Sequence, residues 1–330
     1  MEAVARASAR RFDPLTLWSR FGLVLVNVTV WTLFAVFAGG FLSDFNLFTL
    51  LRLTSIQIMI GLAQMVVLAI GQMNLAVGAI GGAVAMLTGA LLQLVGLPLG
   101  LAVPLALAFG VALGIVNGLL VVLTRINSFI VTLATAGIFT GLTLILTNGN
   151  SYSGLPSSLT TFAGRQFLGV AVISPYVPIM LVVAVALFAL YRNTTLGREM
   201  LAVGANQRAA AMSGILVWRV VIVAHGLSGA LAGVAGVMTV GLLGTATPGI
   251  GNDWILTSFV APVIGGTILT GGIVSVWGTV LGGVLVGTLT NGLLLLGVSS
   301  FWLNSFFGVV LLTAVWLARL GRLPEGTETP

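Results

Sequence analysis

No charged residue occurs between Arg52 and Arg125, a run of 72 residues, or between Asp253 and Arg319, a run of 65. A helix that crosses a bilayer needs about 20 apolar residues, so each run holds about three crossings and their turns. Shorter uncharged gaps at 21–42, 126–164, 166–191 and 220–252 hold one crossing each. With 58% hydrophobic and 6% charged residues, against about 25% charged in soluble domains, the chain lacks the polar surface that water would require. The runs are continuous rather than alternating and are rich in Gly, Ala and Leu, which excludes a β-barrel. The expectation is an all-α polytopic membrane protein with about ten transmembrane helices. Their predicted spans are 21–41, 54–71, 75–93, 98–123, 128–147, 174–191, 219–243, 255–271, 275–297 and 303–320.

The basic residues orient these spans. All thirteen are arginine, and eleven fall on one face: Arg6, Arg10, Arg11, Arg20, Arg125, Arg192, Arg198, Arg208, Arg219, Arg319 and Arg322. Only Arg52 and Arg165 fall opposite. Positive residues are retained on the cytoplasmic side, so both termini are predicted to be cytoplasmic. This divides the chain into a tail at 1–20, a transmembrane domain at 21–320 with a cytoplasmic loop at 192–218, and a second tail at 321–330. The net charge of +6 is thereby a matter of topology, and no nucleic-acid partner follows from it. The opening "ARASARRFDP" is followed by an apolar segment too long for an export signal and without a small-x-small cleavage site. Cysteine is absent, which removes disulfides and thiol chemistry. The sequons at Asn27 and Asn193 fall within a span and on the cytoplasmic face, where they are chance matches.

Glycines recur at four-residue spacing, as in Gly110, Gly114 and Gly118, Gly229 and Gly233, Gly278 and Gly282, and Gly283 and Gly287, a spacing that lets helix backbones approach closely in lipid. "GVALGIVNGLL" from Gly110 and "GVLVGTLTNGLL" from Gly283 are similar once one insertion is allowed. The first lies on a span running inward and the second on one running outward, which suggests an inverted repeat. The stretch 148–166, "NGNSYSGLPSSLTTFAGRQ", reads as a long external loop.

What is missing narrows the chemistry. Without lysine there is no P-loop, so this chain cannot bind nucleotide phosphates in that way. One histidine and no cysteine exclude the usual zinc ligand sets. Glu2, Asp13, Asp44, Glu199, Asp253, Glu325 and Glu328 all fall in tails or at predicted span ends, which leaves only His225 as a proton relay inside the bundle. A neutral imidazole bonded to a neighbouring helix is its ordinary reading; a solute or proton site is the other. Gln64, Gln72, Asn74, Asn117 and Asn291 are the buried uncharged candidates. Each amide in hydrocarbon must find a partner, so they either join helices or line a path suited to a neutral, hydroxyl-rich solute. The stretch "GQMNLAVGAIGG", 71–82, places glycines and amides at a break between two spans. Irregular backbone at membrane depth is tolerated only inside protein or against a water-filled cavity, so this is the best path candidate.

Four blocks in order, "GQMNLAVGAIGG", "GIVNGLLVVLTRINSFIVTLATAGIFTGLTLILTNG" (114–149), "GREMLAVGANQRAAAMSGI" (197–215) and "VIGGTILTGGIVSVWGTVLGGVLVGTLTNGLLLLGVSSFW" (263–302), resemble the ribose-type permease subunits of bacterial ABC importers over roughly residues 45–315. The resemblance implies a pore subunit of the bacterial inner membrane, paired with a second permease copy, driven by a cytoplasmic ATPase and supplied by a periplasmic solute-binding protein. It implies no cofactor and no catalysis by this chain. It also assigns the loop between the sixth and seventh spans to a short coupling helix that rests in a groove of the ATPase. The matching positions are Gly204, Asn206, Arg208, Ala209, Ala210, Ser213, Gly214 and Ile215. Where the family reads Gly-Gly-Ile-Asp-Leu-Ser-Val-Gly, this chain has Gly71, Gln72, Met73, Asn74, Leu75, Ala76, Val77 and Gly78. After "GTATPGIGNDW" the family's acidic, Ala-rich helix start gives way to Asp253, Trp254 and "ILTSFVAP"; Asp253 and Trp254 are candidates for docking the binding protein outside. Both departures bear on the solute and leave the coupling block intact. A monosaccharide importer leads. The same machine for a nucleoside or branched-chain amino acid, and an ATP-independent carrier of neutral solutes, are the alternatives; an intramembrane enzyme is opposed by the shortage of ionisable groups.

Overall fold

The computed structural model describes residues 14–299 together with 302, 305–309, 312 and 313. Helices carry the fold, in the order α1 (Pro14–Phe37), α2 (Asp44–Leu68), α3 (Val77–Gln93), α4 (Leu99–Thr124), α5 (Ser128–Thr147), α6 (Ser157–Gly164), α7 (Tyr176–Asn193), α8 (Thr195–Ala205), α9 (Gln207–Met212), α10 (Val217–Leu243), α11 (Trp254–Ile264) and α12 (Val276–Leu295). Among the described residues no strand forms beyond two isolated bridges, Tyr152 with Ala246 and Phe167 with Val170.

Six helices are long and apolar enough to cross a membrane: α2, α4, α5, α7, α10 and α12. Three shorter apolar helices accompany them, at Phe21–Phe37, Val77–Gln93 and Trp254–Ile264. α3 and α11 are short for a physical reason. Each follows a non-helical segment, 69–76 and 244–253, made largely of turns. The helix predicted over 255–271 stops at Ile264, where Gly265 caps it and Gly266 turns at φ +87°. The tenth predicted span, 303–320, and the tails lie largely outside the described residues; the described positions from 302 to 313 are helical. The loop 148–166 contains α6, and the loop 192–218 contains α8 and α9.

α2 is apolar all round and lies at the centre, with Ile58, Met59, Leu62, Ala63 and Met65 fully buried, as such a helix must be. α4, α5 and α7 expose one apolar face, including Leu133 and Val182, which suits contact with lipid. The small residues lie where helices cross. A methyl group on Gly110 would meet the Gly229 carbonyl at 2.8 Å, and one on Gly118 the Ile222 Cα at 2.7 Å, so α4 and α10 touch backbone to backbone. α12 lies on α2 in the same manner, with Gly283 against Ile58 and Gly287 against Thr54. α3 packs on α10 and α4 more than on α2, which precedes it, and α11 packs on α2 and α12.

Candidate translocation path and coupling site

The segment between α2 and α3 shows how polar groups are satisfied inside the bundle. After Leu68 the chain turns through Gly71 at φ +70°, leaves helical structure over 72–74 and turns again at 75–76 into α3. Its amides cannot join a helical ladder, and side chains replace that ladder. The Met73 N–H donates to Ser128 Oγ at 3.1 Å and the Leu75 N–H to Thr132 Oγ1 at 3.0 Å, both from α5. Asn74 Oδ1 accepts from the Ala76 N–H at 3.0 Å, and Asn74 Nδ2 donates to Ser228 Oγ of α10 at 3.0 Å. Gln72 Oε1 lies 3.0 Å from Nε2 of His225, which is fully buried. The histidine therefore bonds to the broken segment rather than to an intact helix. Below this, a cavity of about 650 Å³ opens among Gly71, Gln72, Arg125, Asn127, Ser128, Gln207 and Trp218.

The amide candidates separate into three groups. Gln72 and Asn74 come together with His225 and Ser228. Asn291 exchanges two hydrogen bonds of 3.0 Å with Asn46, and Asn46 also donates to the Phe41 carbonyl at 2.8 Å, so this pair joins α12 to the start of α2. Gln64 and Asn117 are fully buried, with neither amide atom of either residue hydrogen-bonded among the described residues. Trp254 is turned inward, with its ring against Gly81, while Asp253 is exposed.

In the loop 192–218, Thr194 Oγ1 caps α8 by accepting from the Gly197 N–H at 3.1 Å. Asn206 closes α8 and opens α9, its Oδ1 accepting from the Ala209 N–H at 3.0 Å. Gly214, at φ +85°, ends α9 in the left-handed turn that favours glycine, and the Ile215 N–H returns to the Ala210 carbonyl at 3.1 Å. Arg208, Ala209, Ser213 and Gly214 are exposed, Ala210 faces inward, and Met212 is 90% exposed.

The family model described as "Branched-chain amino acid transport system / permease component" matches residues 46–315. This chain belongs to that permease family. The ribose import permease RbsC of Bacillus subtilis (strain 168) is 42% identical over 206 residues, 62% of this chain and 63% of that protein. RbsC of Escherichia coli (strain K12) is 34% identical over 313 residues, 93% of this chain and 95% of that one. The D-allose transport system permease AlsC of the same strain is 32% identical and covers 94% of each chain. No solved structure matches.

In this permease the end of α8 adjoins the broken segment through a joint of backbone. The Gly272 N–H donates to the Ala69 carbonyl at 3.0 Å. Gly204, near the end of α8, lies so close that a methyl group would collide with both partners of that bond. On Gly71 a methyl would meet the Thr270 carbonyl at 2.8 Å, and on Gly272 it would meet Ala205 Cα at 2.8 Å. Gly78, in the first turn of α3, and Gly251 touch backbone to backbone, so the segment before α11 lies against the start of α3. Sequence reasoning missed Ser128, Thr132 and Ser228 as partners of the break. A Ser and a Thr four residues apart on one face of α5 were the available signal.

Proposed function

We propose that this permease forms the translocation path of an ATP-driven importer that carries a monosaccharide across the bacterial inner membrane. The observation that carries the reading is similarity over more than nine-tenths of the chain to permeases named for ribose and D-allose. The xylose permease XylH of Haemophilus influenzae, 29% identical over 84% of this chain, adds a third sugar. Gln72, half-buried at the edge of the cavity of about 650 Å³, supports it by offering a neutral amide to a solute rich in hydroxyls.

In this reading a separate cytoplasmic ATPase hydrolyses ATP, a periplasmic binding protein delivers the solute, and a second copy of the chain or a paralogue completes the pore. The domain crosses the membrane ten times over 21–320, with the tails 1–20 and 321–330 cytoplasmic. The matched glycine faces of α4 on α10 and α12 on α2 support its two halves being inverted repeats. The loop 192–218 receives the ATPase at α9, where Gly204, Asn206, Arg208, Ala209, Ala210, Ser213, Gly214 and Ile215 shape the contact. The joint at Gly71, Gly204 and Gly272 carries its displacement to both non-helical segments. Gln72 meets the solute, Asn74 fixes the segment beside it, Gln64 and Asn117 lie behind them in the core, and Asn291 holds α12 to α2. The binding protein docks on the external loops; Trp254, buried against Gly81 of α3, and Asp253 lie beneath that surface.

The test is uptake into proteoliposomes holding the chain with its ATPase and binding protein. ATP-dependent accumulation of ribose, allose or xylose, and not of leucine, is expected. Uptake by the lone chain would sink the importer reading; accumulation of leucine alone would sink the sugar.

A further inference from the structure

Asp253 occupies a depth at which membrane proteins seldom leave a charge. The residue immediately precedes α11, whose 11 residues run from Trp254 to Ile264. At about 1.5 Å per residue that helix is about 16 Å long. Its far end belongs to the cytoplasmic end of the bundle: Gly265 packs against Gly278 at the start of α12, and Gly272 bonds to Ala69 just past α2. The approach from the other side agrees. Ala246 exchanges backbone hydrogen bonds of 2.9 Å with Tyr152 of the external loop and packs against Gly89 of α3. From there the chain descends along α3, Ile250 meeting Gly82 and Gly251 meeting Gly78. Gly78 precedes Gly89 by eleven helical residues, again about 16 Å. In a hydrocarbon layer of about 30 Å, both measures place Asp253 near mid-depth.

The carboxylate is exposed on the protomer and caps no helical N–H. The neighbouring Asn252 is exposed as well. Among the described residues the other acids lie elsewhere: Asp44 opens α2, and Glu199 lies in α8. A carboxylate facing lipid at this depth is among the costliest arrangements a membrane protein can adopt, and intramembrane charges face water or protein instead. The surface that carries Asp253 is therefore covered by something other than acyl chains.

We propose that Asp253 and Asn252 line the translocation path at mid-depth, where the carboxylate accepts hydrogen bonds from hydroxyl groups of the passing solute. This rests on the sugar-permease reading for the solute class, while the exposure of Asp253 to water stands apart from it. A carboxylate is an acceptor with two oxygens, suited to a pair of adjacent sugar hydroxyls, and a bond to a charged acceptor is stronger than one between neutral groups. Gln72, half-buried, then supplies a neutral contact nearer the cytoplasm, so the solute meets a charged acceptor first and an amide afterwards. The protomer alone leaves the Asp253 surface open, and a second copy would close it into a channel wall.

The chain has no cysteine, so a single introduced thiol reports its own environment. Asp253→Cys and, as a lipid-facing control on α7, Val185→Cys would each be assembled with the ATPase and binding protein and treated from outside with a membrane-impermeant, sulfonate-bearing methanethiosulfonate. Labelling of Asp253→Cys but not Val185→Cys is expected, with loss of uptake in the labelled sample. Asp253→Leu should lower uptake of whichever of ribose, allose or xylose the transporter accepts by roughly tenfold, about the worth of one hydrogen bond to a charged group. Asp253→Asn should fall between it and the parent. A thiol at 253 as inert as that at 185 overturns the water-lined position, and this holds even where the Leu variant fails to assemble. Full labelling with unchanged uptake by both labelled Cys and Leu variants overturns the solute contact. Failure of every sugar in the uptake assay would instead remove the sugar reading and leave the labelling result standing.

Discussion

Gly204→Ala tests whether the backbone joint couples the ATPase to the membrane. The added methyl would overlap the Ala69 carbonyl oxygen and the Gly272 nitrogen, which are the two ends of one 3.0 Å hydrogen bond. Neither is the movable tip of a side chain. Overpacking a well-filled site costs about 1–3 kcal/mol. Parting the hydrogen bond leaves an N–H and a carbonyl unpaired, at about 1–3 kcal/mol more. The two contributions together come to about 2–6 kcal/mol, which is large for one methyl group, and the joint should open rather than absorb it. α9 would remain capped by Asn206 and free to meet the ATPase, since its own hydrogen bonds are untouched. ATP hydrolysis by the assembled complex should therefore persist while solute moved per ATP falls severalfold. The assay is simultaneous uptake and phosphate release in proteoliposomes, with midpoint unfolding temperature in detergent as the stability measurement. A Gly204→Ala complex with the parent's transport per ATP would refute the joint as a coupling element. Loss of assembly without loss of coupling in the surviving fraction would do the same.

Other substitutions separate the remaining roles. Asn206→Ala removes the cap of α9 and should cost about 0.5–2 kcal/mol locally, read as a weakened apparent affinity for the ATPase in pull-down titrations. His225→Gln keeps a hydrogen-bonding group opposite Gln72 and should transport near the parent rate, whereas His225→Leu should lose stability by about 1–3 kcal/mol; equal inactivity of the two would assign the imidazole a proton-transfer role instead. Gly141→Ala, on α5, has nothing within 4 Å of the new methyl and should be neutral or raise the unfolding temperature slightly, because alanine favours the helix by about 1 kcal/mol over glycine. That contrast with Gly204 is the check that close approach, and not glycine itself, sets the effect.

The parts of this fold carried by composition were legible in the sequence. Uncharged runs gave the membrane crossings, and the spans predicted at 128–147 and 75–93 end where α5 and α3 end. The break at 71–76 was legible too, because Gly71 and two amides interrupt an apolar run. What the sequence hid is contact between distant backbones. Gly71, Gly204 and Gly272 have no side chains to mark an interaction, and nothing in their local context distinguishes them from Gly137 or Gly141, which touch nothing. The shortness of α11 was hidden for a different reason. Hydropathy averages over 255–271 and cannot register that Gly265 and Gly266 turn the chain back. The Thr, Pro, Gly and Asn residues of 244–253 are those of a surface loop, and their local context does not reveal that the segment packs along the glycine face of α3.

That glycine face explains how a non-helical segment can pack closely along a helix of the bundle. α3 carries Gly78, Gly81, Gly82 and Gly89 toward Gly251, Trp254, Ile250 and Ala246, so the descending segment lies against a helix almost without side chains on that side. The climbing segment at 72–76 is held by the opposite means, with Ser128, Thr132 and Asn74 answering its amides. One segment is held by shape and the other by hydrogen bonds, and the descending one meets the first turn of α3 where Gly78 touches Gly251. Contacts between backbones leave no side-chain rotamer to take up slack. Under the proposed coupling, a displacement entering at Gly204 would therefore pass to the start of α3 and to Asp253 beside Gly251, and transport per ATP should fall when either contact is opened.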